Sequence, residues 1–282
     1  LNTDENQMRF SIILIPTSND AVIPINYQYP LSAAIYKVLA EADAEYATFL
    51  HEEGHKVDNG LKNFKLFTFS DLRAKFKLAG DRMKLSSPAE VLVSFHLPET
   101  AQNFVKGLFK DRQITLADKK SKATFLVEQI TALPPFNLPE GAISAVCFGL
   151  SSMLICGKKD TKGNYEFLSP EHRDWDALML HNWKEKCKAA KLQQTQKEQD
   201  SMSITPIFKT EKPKSRLIVV KANTKAQTRI KGYYGFEIGA TGSEMALQLL
   251  HNAGCGVYNS LGCGFLEVVE KEKSTEHKTD AL

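Results

Sequence analysis

Apolar positions follow two alternating periods along this chain, one close to two residues and one close to 3.6, and that alternation predicts the architecture. Residues 9–15 (Arg-Phe-Ser-Ile-Ile-Leu-Ile) are β-branched and aromatic, close at Pro16 and read as a buried strand. Leu31, Ala34, Ile35, Val38, Leu39 and Ala42 recur at helical spacing with Pro30 just before them, which predicts a helix over 31–42. A second short helix over 44–53 stops at Gly54, and 64–69 alternate as a strand. The Gly80-Asp81 turn separates two further strand-like pieces, and 90–97 form another. Pro98 introduces a helix over 99–110, after which 113–116 and 123–130 read as strands.

The pattern restarts beyond Pro134-Pro135 and Pro139-Glu140-Gly141. Residues 142–156 are strand-like, and 170–199 suit one long amphipathic helix, acidic at its start and lysine-rich at its end as the helix dipole favours. A hairpin over 216–221 and 229–238, a helix over 243–251 and a closing strand over 265–270 complete the second half. Both halves read β-α-β-β-α-β. The expected fold is therefore α+β, with two tandem ferredoxin-like (RRM-like) domains at 8–133 and 142–270 joined by a linker at 134–141. Residues 1–7 read as a leader and 271–282 as a flexible tail. Four-stranded sheets of this kind often present RNA-binding surfaces, although fold alone does not give function.

Composition narrows the class. With 282 residues, 43% hydrophobic and 24% charged, the chain has the make-up of a soluble globular protein. No apolar run approaches the roughly 18 residues that would span a bilayer, which excludes an integral helical membrane protein. A formal charge of +3 does not by itself identify a nucleic-acid partner. Lysines cluster at 184–197, 209–216 and 221–231, where a solvated helix face or hairpin edge is the ordinary reading. Cys147, Cys156, Cys187, Cys255 and Cys263 are odd in number without framework spacing, and no signal peptide is visible, so a reducing cytoplasm is expected.

Candidate chemistry lies in two places. Gly254-Cys255-Gly256 and Gly262-Cys263-Gly264 bracket five residues between a helix and a strand. The four glycines make either a tight connection or a loop that another backbone can approach closely, a phosphate chain being the obvious partner. The order is wrong for a dinucleotide fingerprint, and the Gly-Lys-Ser/Thr of a Walker loop is absent, so no nucleotide cofactor is expected. His251, Cys255 and Cys263 lack a fourth ligand and a Cys-x-x-Cys knuckle, so no metal is expected there.

The second place is Tyr36, His51 and Lys65. Tyr36 and His51 flank the apolar stripes of their helices, positions that can line a cleft with the ring body buried and the polar end free. A histidine near a helix end is ordinarily a cap or surface residue. A Tyr, a His and a Lys together nevertheless supply what metal-free RNA cleavage needs: a base for the 2′-hydroxyl, an acid for the departing 5′-oxygen and a cation for the phosphorane. Histidine suits either proton role near neutral pH.

Met8-Arg9-Phe10, residues 25–31 (Ile-Asn-Tyr-Gln-Tyr-Pro-Leu), Ala34-Ile35-Tyr36, Leu50-His51-Glu52-x-Gly54, residues 65–70 (Lys-Leu-Phe-Thr-Phe-Ser) and the glycine loop with Asn259-Ser260-Leu261-Gly262 form a combination. Taken together they resemble the CRISPR-associated repeat-cleaving endoribonucleases of the RAMP superfamily, from Met8 to about Val269. The resemblance implies two ferredoxin-like domains around a cleft, and one metal-independent cut per repeat of the precursor transcript. It further implies attack by the 2′-hydroxyl, leaving a 2′,3′-cyclic phosphate and a 5′-hydroxyl. Tyr36, His51 and Lys65 match the family's catalytic triad, with His51 as acid or base, Tyr36 as its counterpart and Lys65 as the cation. His55 competes for the histidine role but lies beyond Gly54.

RNA contacts are expected from Gly254, Gly256, Asn259, Ser260, Gly262 and Gly264, and from Lys225, Arg229 and Lys231 on the basic hairpin. Members commonly carry Lys or Arg between the two Gly-x-Gly pairs, and this chain has none there, which leaves backbone amides and Asn259 or Ser260 to meet RNA. The expected partner is CRISPR repeat RNA, with effector-complex subunits and a homodimer left open. The rival readings are a RAMP-type subunit that holds guide RNA without cutting it and a metal-dependent nuclease, the latter lacking a carboxylate cluster in the sequence.

Overall fold

Alternation puts Phe10, Ile12 and Leu14 of the strand Arg9–Pro16 into the first core, and this strand becomes the axis of the first half. A computed structural model of the chain describes residues 8–57, 62–138, 142–161, 164–209, 212–221 and 224–269. In it Arg9–Pro16 pairs antiparallel with Ala89–Phe95 on one side and Lys122–Ala132 on the other. Phe67–Phe69 extends the sheet beyond Ala89–Phe95, and Gln113–Ala117 extends it beyond Lys122–Ala132. Helices Gln28–Ala42 and Pro98–Lys110 pack against each other, and Leu31, Ile35, Val38 and Leu39 join Phe104 and Leu108 in the core. Gly107 permits that crossing, since a Cβ there would lie 1.9 Å from the Val38 carbonyl oxygen.

The second half repeats the arrangement. Ile143–Leu150 lies between Glu237–Ser243 and Leu266–Val268, with Ser203–Ile207 at the edge. Helices Trp175–Ala189 and Glu244–Ala253 complete the unit. With the edge strand Gln113–Ala117 set aside, the four core strands of each half stand in the spatial order second, third, first, fourth, which is the ferredoxin-like order anticipated from the repeated pattern. The first half adds a fifth strand at the edge. Two hairpins, Cys156–Lys159 with Tyr165–Leu168 and Lys214–Val220 with Thr228–Tyr234, project from the second. The leader and the tail lie outside the described residues, as do 139–141 of the linker.

Four elements differ from the expected periodicity, and three of the breaks have a left-handed residue behind them. The strand expected over 64–69 is interrupted at Leu66, which adopts φ 52°. The one expected over 142–156 ends at Leu150 and resumes as a hairpin at Cys156. The long helix stops at Ala189, because Lys191 turns left-handed at φ 55°; a separate short helix, Gln196–Ser201, starts on a Thr195/Glu198 capping box. Gly235 at φ 81° divides 229–238 into a hairpin strand and the main-sheet strand Glu237–Ser243. Among the described residues no helix is long and apolar enough to cross a membrane.

Buried and half-buried polar contacts lock the halves together. Arg9 is 5% exposed and donates from Nη1 to the His251 carbonyl at 2.6 Å and from Nη2 to the Leu266 carbonyl at 2.7 Å, with its guanidinium 4.2 Å from the Phe265 ring centroid. Burial lowers its pKa to about 9, against the opposing pull of Glu267. Asp71 of the first half accepts from Arg216 of the basic hairpin at 2.9 Å, and Asn26 Oδ1 accepts from the Val219 amide at 3.2 Å.

Candidate active site

Three short segments of the first half converge on the glycine loop of the second. Tyr36, at the edge of the apolar stripe of Gln28–Ala42, is half-buried. Its ring stands edge-on to His51 with centroids 4.9 Å apart and to Phe67 with centroids 5.5 Å apart. The helix that carries Tyr36 packs against the turn Asn259–Leu261 of the glycine loop, which brings Ser260 near the phenol. Burial pushes the phenol up to about 12, and the neighbouring Ser260 opposes that rise.

His51 lies exposed in the last turn of the helix Ala44–Glu52, whose start is capped by Asp43 accepting from the Tyr46 amide. Gly54 then turns the chain at φ 63°. A Cβ on Gly54 would sit 2.9 Å from Lys65 Cδ and 2.7 Å from the Phe64 carbonyl oxygen, so only glycine lets the lysine cross here. Lys65 Nζ reaches the His51 carbonyl at 2.7 Å. Its pKa is lowered by burial first and by Lys56 second, with Glu53 opposing. Phe64 and Leu66 on either side are buried in the core of the second half, whereas Phe67 and Phe69 belong to the first. Lys65 is thus held where the two cores meet.

Tyr36, His51, Lys65 and Ser260 therefore share one place, a juxtaposition that no local spacing in the sequence dictates. His55 lies on the short strand His55–Lys56 with its ring edge-on to Phe49 at 5.6 Å, and its pKa is lowered by burial, Lys65 and Lys191. It is His51, not His55, that packs on Tyr36. Among the described residues no group of three or more His, Cys, Asp or Glu side chains is placed to hold a metal ion. His251 is instead buried and stacked on Phe148 with centroids 5.8 Å apart.

The glycine loop is a tight connection, the first of its two readings. All four glycines have positive φ, and the close approach they permit is to the protein itself. A Cβ would fall 2.3 Å from the Ile155 carbonyl oxygen at Gly256, 2.2 Å from the Phe69 ring at Gly262 and 1.9 Å from the Cys255 carbonyl oxygen at Gly264; at Gly254 it would fall 2.8 Å from Asn259 Nδ2. The amides of Gly254, Gly262 and Gly264 already donate to Leu250, Asn259 and Met153 carbonyls. Asn259 is likewise committed inward, its Nδ2 donating to Cys255 and Cys263 carbonyls at 2.9 Å each. Of the expected loop contacts, Gly256, Asn259 and Ser260 line one cleft with Lys65. Lys225, Arg229 and Lys231 are exposed on the hairpin as anticipated.

One organising residue escapes the sequence reading. Lys186, within the lysine-rich stretch expected to be solvated, is 2% exposed. Its Nζ donates to the Gly254 carbonyl at 2.6 Å, the Gly256 carbonyl at 2.9 Å and Asn259 Oδ1 at 2.6 Å. The cation missing from the loop thus arrives beneath it, from a helix. Burial lowers its pKa to about 8, while neighbouring Cys255 and Cys187 act to raise it. A signal was present: Trp175, Met179, Asn182, Trp183, Lys186 and Cys187 share one helical stripe, so the lysine sits at a core position.

Residues 22–131 match the family model for the N-terminal part of CRISPR-associated protein Cas6, and residues 139–268 match the model for its C-terminal part. The chain belongs to the Cas6 family. Among curated members it is 30% identical over 122 residues to CRISPR-associated endoribonuclease Cas6 1 of Methanocaldococcus jannaschii, a match covering 43% of each chain. It is also 30% identical over 118 residues to CRISPR-associated endoribonuclease Cas6 of Pyrococcus furiosus, covering 40% of this chain and 42% of that one. Each match thus spans less than half of the relative's length. A solved structure of a Cas6-related protein from Pyrococcus furiosus has the same fold, with TM-score 0.74 and 20% identity over 94% of this chain and 99% of that one. So does a structure described as an RAMP protein binding different RNA substrates, with TM-score 0.71 and 19% identity over 93% of this chain and 100% of the other.

Proposed function

We propose that this Cas6 protein is an endoribonuclease that cuts CRISPR repeat RNA in the precursor transcript without a metal. The observation that carries the proposal is the convergence of Tyr36, His51, Lys65 and Ser260 at the seam between the two ferredoxin-like units. A phenol held up at about 12 stays protonated through the neutral range, so Tyr36 fits the proton donor, or the hydrogen-bond donor to the departing 5′-oxygen. That leaves His51 as the base for the 2′-hydroxyl. Lys65 supplies positive charge to the phosphorane once RNA displaces its bond to the His51 carbonyl. The 2′-oxygen attacks phosphorus, the bond to the 5′-oxygen breaks, and a 2′,3′-cyclic phosphate and a 5′-hydroxyl remain. RNA would be gripped by Ser260 and by Lys225, Arg229 and Lys231, rather than by the loop's glycines.

Cleavage of cognate repeat RNA in EDTA tests the reading, together with a substrate carrying one 2′-deoxynucleotide just upstream of the scissile phosphate. Cutting that persists in EDTA and is abolished by the deoxynucleotide is the expected result. Loss of cutting in EDTA would remove the metal-free mechanism, and retained cutting of the deoxy substrate would remove 2′-hydroxyl attack. Tight binding of every cognate repeat without cleavage would make the protein an RNA-holding subunit.

A further inference from the structure

A cleft of about 320 Å³ opens beside Lys65 and Ser260, between residues 63–66 of the first half and the helix Trp175–Ala189 of the second. This is near the lower end of the ~300–1,000 Å³ typical of small-molecule sites, so it suits one compact ring system and not a stack. Asn182 lines it, one helical turn before Lys186 and on the same face. The ammonium of Lys186 is fully occupied by the loop. Asn182 is not: it is 6% exposed, and its Oδ1 has no hydrogen-bond partner among the described residues. A buried amide left unpaired destabilises the folded chain, which points to a group that arrives with a ligand.

The walls point to the same ligand. Tyr165 and Tyr258 line the cleft with ring centroids 6.0 Å apart. Tyr258 is held at φ 62°, a conformation unusual for an aromatic residue and one that functional sites tend to concentrate. Gly157 makes room for the other ring, since a Cβ there would lie 2.5 Å from Tyr165 Cε1. A primary amide places an acceptor beside a donor, complementary to the edge of a nucleobase, and aromatic faces stack on unpaired bases. Lys65 at the rim connects the cleft to the reacting phosphate.

We propose that this cleft receives one unstacked nucleobase of the RNA, adjacent to the scissile phosphate, and that Asn182 reads its edge while Tyr258 and Tyr165 flank its ring. The proposal rests on the endoribonuclease reading above. Asn182 is then a specificity-determining residue that leaves the proton transfers to Tyr36 and His51.

The test is single-turnover cleavage of repeat RNAs that each carry one abasic nucleotide within three positions of the mapped cut, using the wild type, Asn182→Leu and Tyr258→Gly. Glycine suits the backbone of Tyr258, so the second variant probes stacking without threatening the fold. Wild-type cleavage of unmodified repeat is the control, and its absence would strike the endoribonuclease reading rather than the pocket. At one position, base removal should slow the wild type roughly 5- to 150-fold, as loss of one stacked and hydrogen-bonded base implies. Each variant, already slow on intact RNA, should lose no more than about twofold further at that same position. Abasic substitutions tolerated everywhere by the wild type, or equal penalties in wild type and both variants, would overturn the proposal.

Discussion

Replacing Lys186 by methionine should release the glycine loop and, with it, the placement of Ser260 on Tyr36. Methionine keeps most of the volume and removes a donor that satisfies three oxygens, at 2.6, 2.9 and 2.6 Å. An abandoned buried acceptor costs about 1–3 kcal/mol, but relief from burying the ammonium offsets part of the total. The net loss is about 3 kcal/mol, or roughly 6–12 °C in melting temperature for a chain of this size. The sign with pH is also determined. Below about pH 8 both native and unfolded chains hold the proton, and the desolvation penalty is fully present. Between about 8 and 10.5 the unfolded chain binds more protons than the native one, so this group makes stability rise with pH. Thermal melts of the wild type and Lys186→Met across pH 7–10.5 measure both effects, and the wild type alone should show that rise. If the variant melts within about 2 °C of the wild type at pH 7 and cleaves repeat RNA at the same rate, Lys186 does not hold the loop.

His51→Ala should slow cleavage by roughly 10²–10⁴-fold, whereas His55→Ala should stay within a few-fold, and the reverse order in single-turnover rates would transfer the role to His55. Tyr36→Phe should lose activity at every pH from 6 to 10, because the phenol titrates only at about 12; recovery or a new ionisation inside that range would contradict its role as a protonated donor. Gly262→Ala, with its Cβ 2.2 Å from Phe69 Cε2, should destabilise by about 2 kcal/mol or more, while Gly80→Ala, equally left-handed but with nothing within 4 Å, should cost only about 1 kcal/mol in chemical denaturation. Charge removal at Lys225, Arg229 or Lys231 should flatten the dependence of log binding constant on log salt by about 0.7 for each phosphate no longer neutralised, and an unchanged slope would take the hairpin out of the RNA path.

The duplicated fold was legible because it rests on local pattern. The stripe Leu31, Ile35, Val38 and Leu39, the alternation of Phe10, Ile12 and Leu14, and the proline at the start of the helices Gln28–Ala42 and Pro98–Lys110 specify elements within a few residues of chain, and their repeated order then dictates the ferredoxin-like sheet. Tyr36, His51 and Lys65 stood out in the sequence as residue types in recognisable surroundings, and folding brings them together. Breaks such as Leu66, Lys191 and Gly235 were not legible, because a left-handed residue is imposed by what packs around it: Phe64 and Leu66 enter one core while Phe67 enters the other.

The glycine spacing by itself determined that some backbone would approach the loop closely, since no side chain could be accommodated there. Which backbone it was could be decided only by the tertiary structure. Ile155, Cys255 and Phe69 fill the space above the glycines, and Lys186, some 70 residues earlier in the chain, takes up their carbonyls from below. Such a partner leaves no trace in local spacing because its distance along the sequence is unrelated to its distance in space. The same reason separates Asn182 and Arg9 from the sequence reading: each is an unremarkable residue until folding buries its polar end and determines whether it finds a partner.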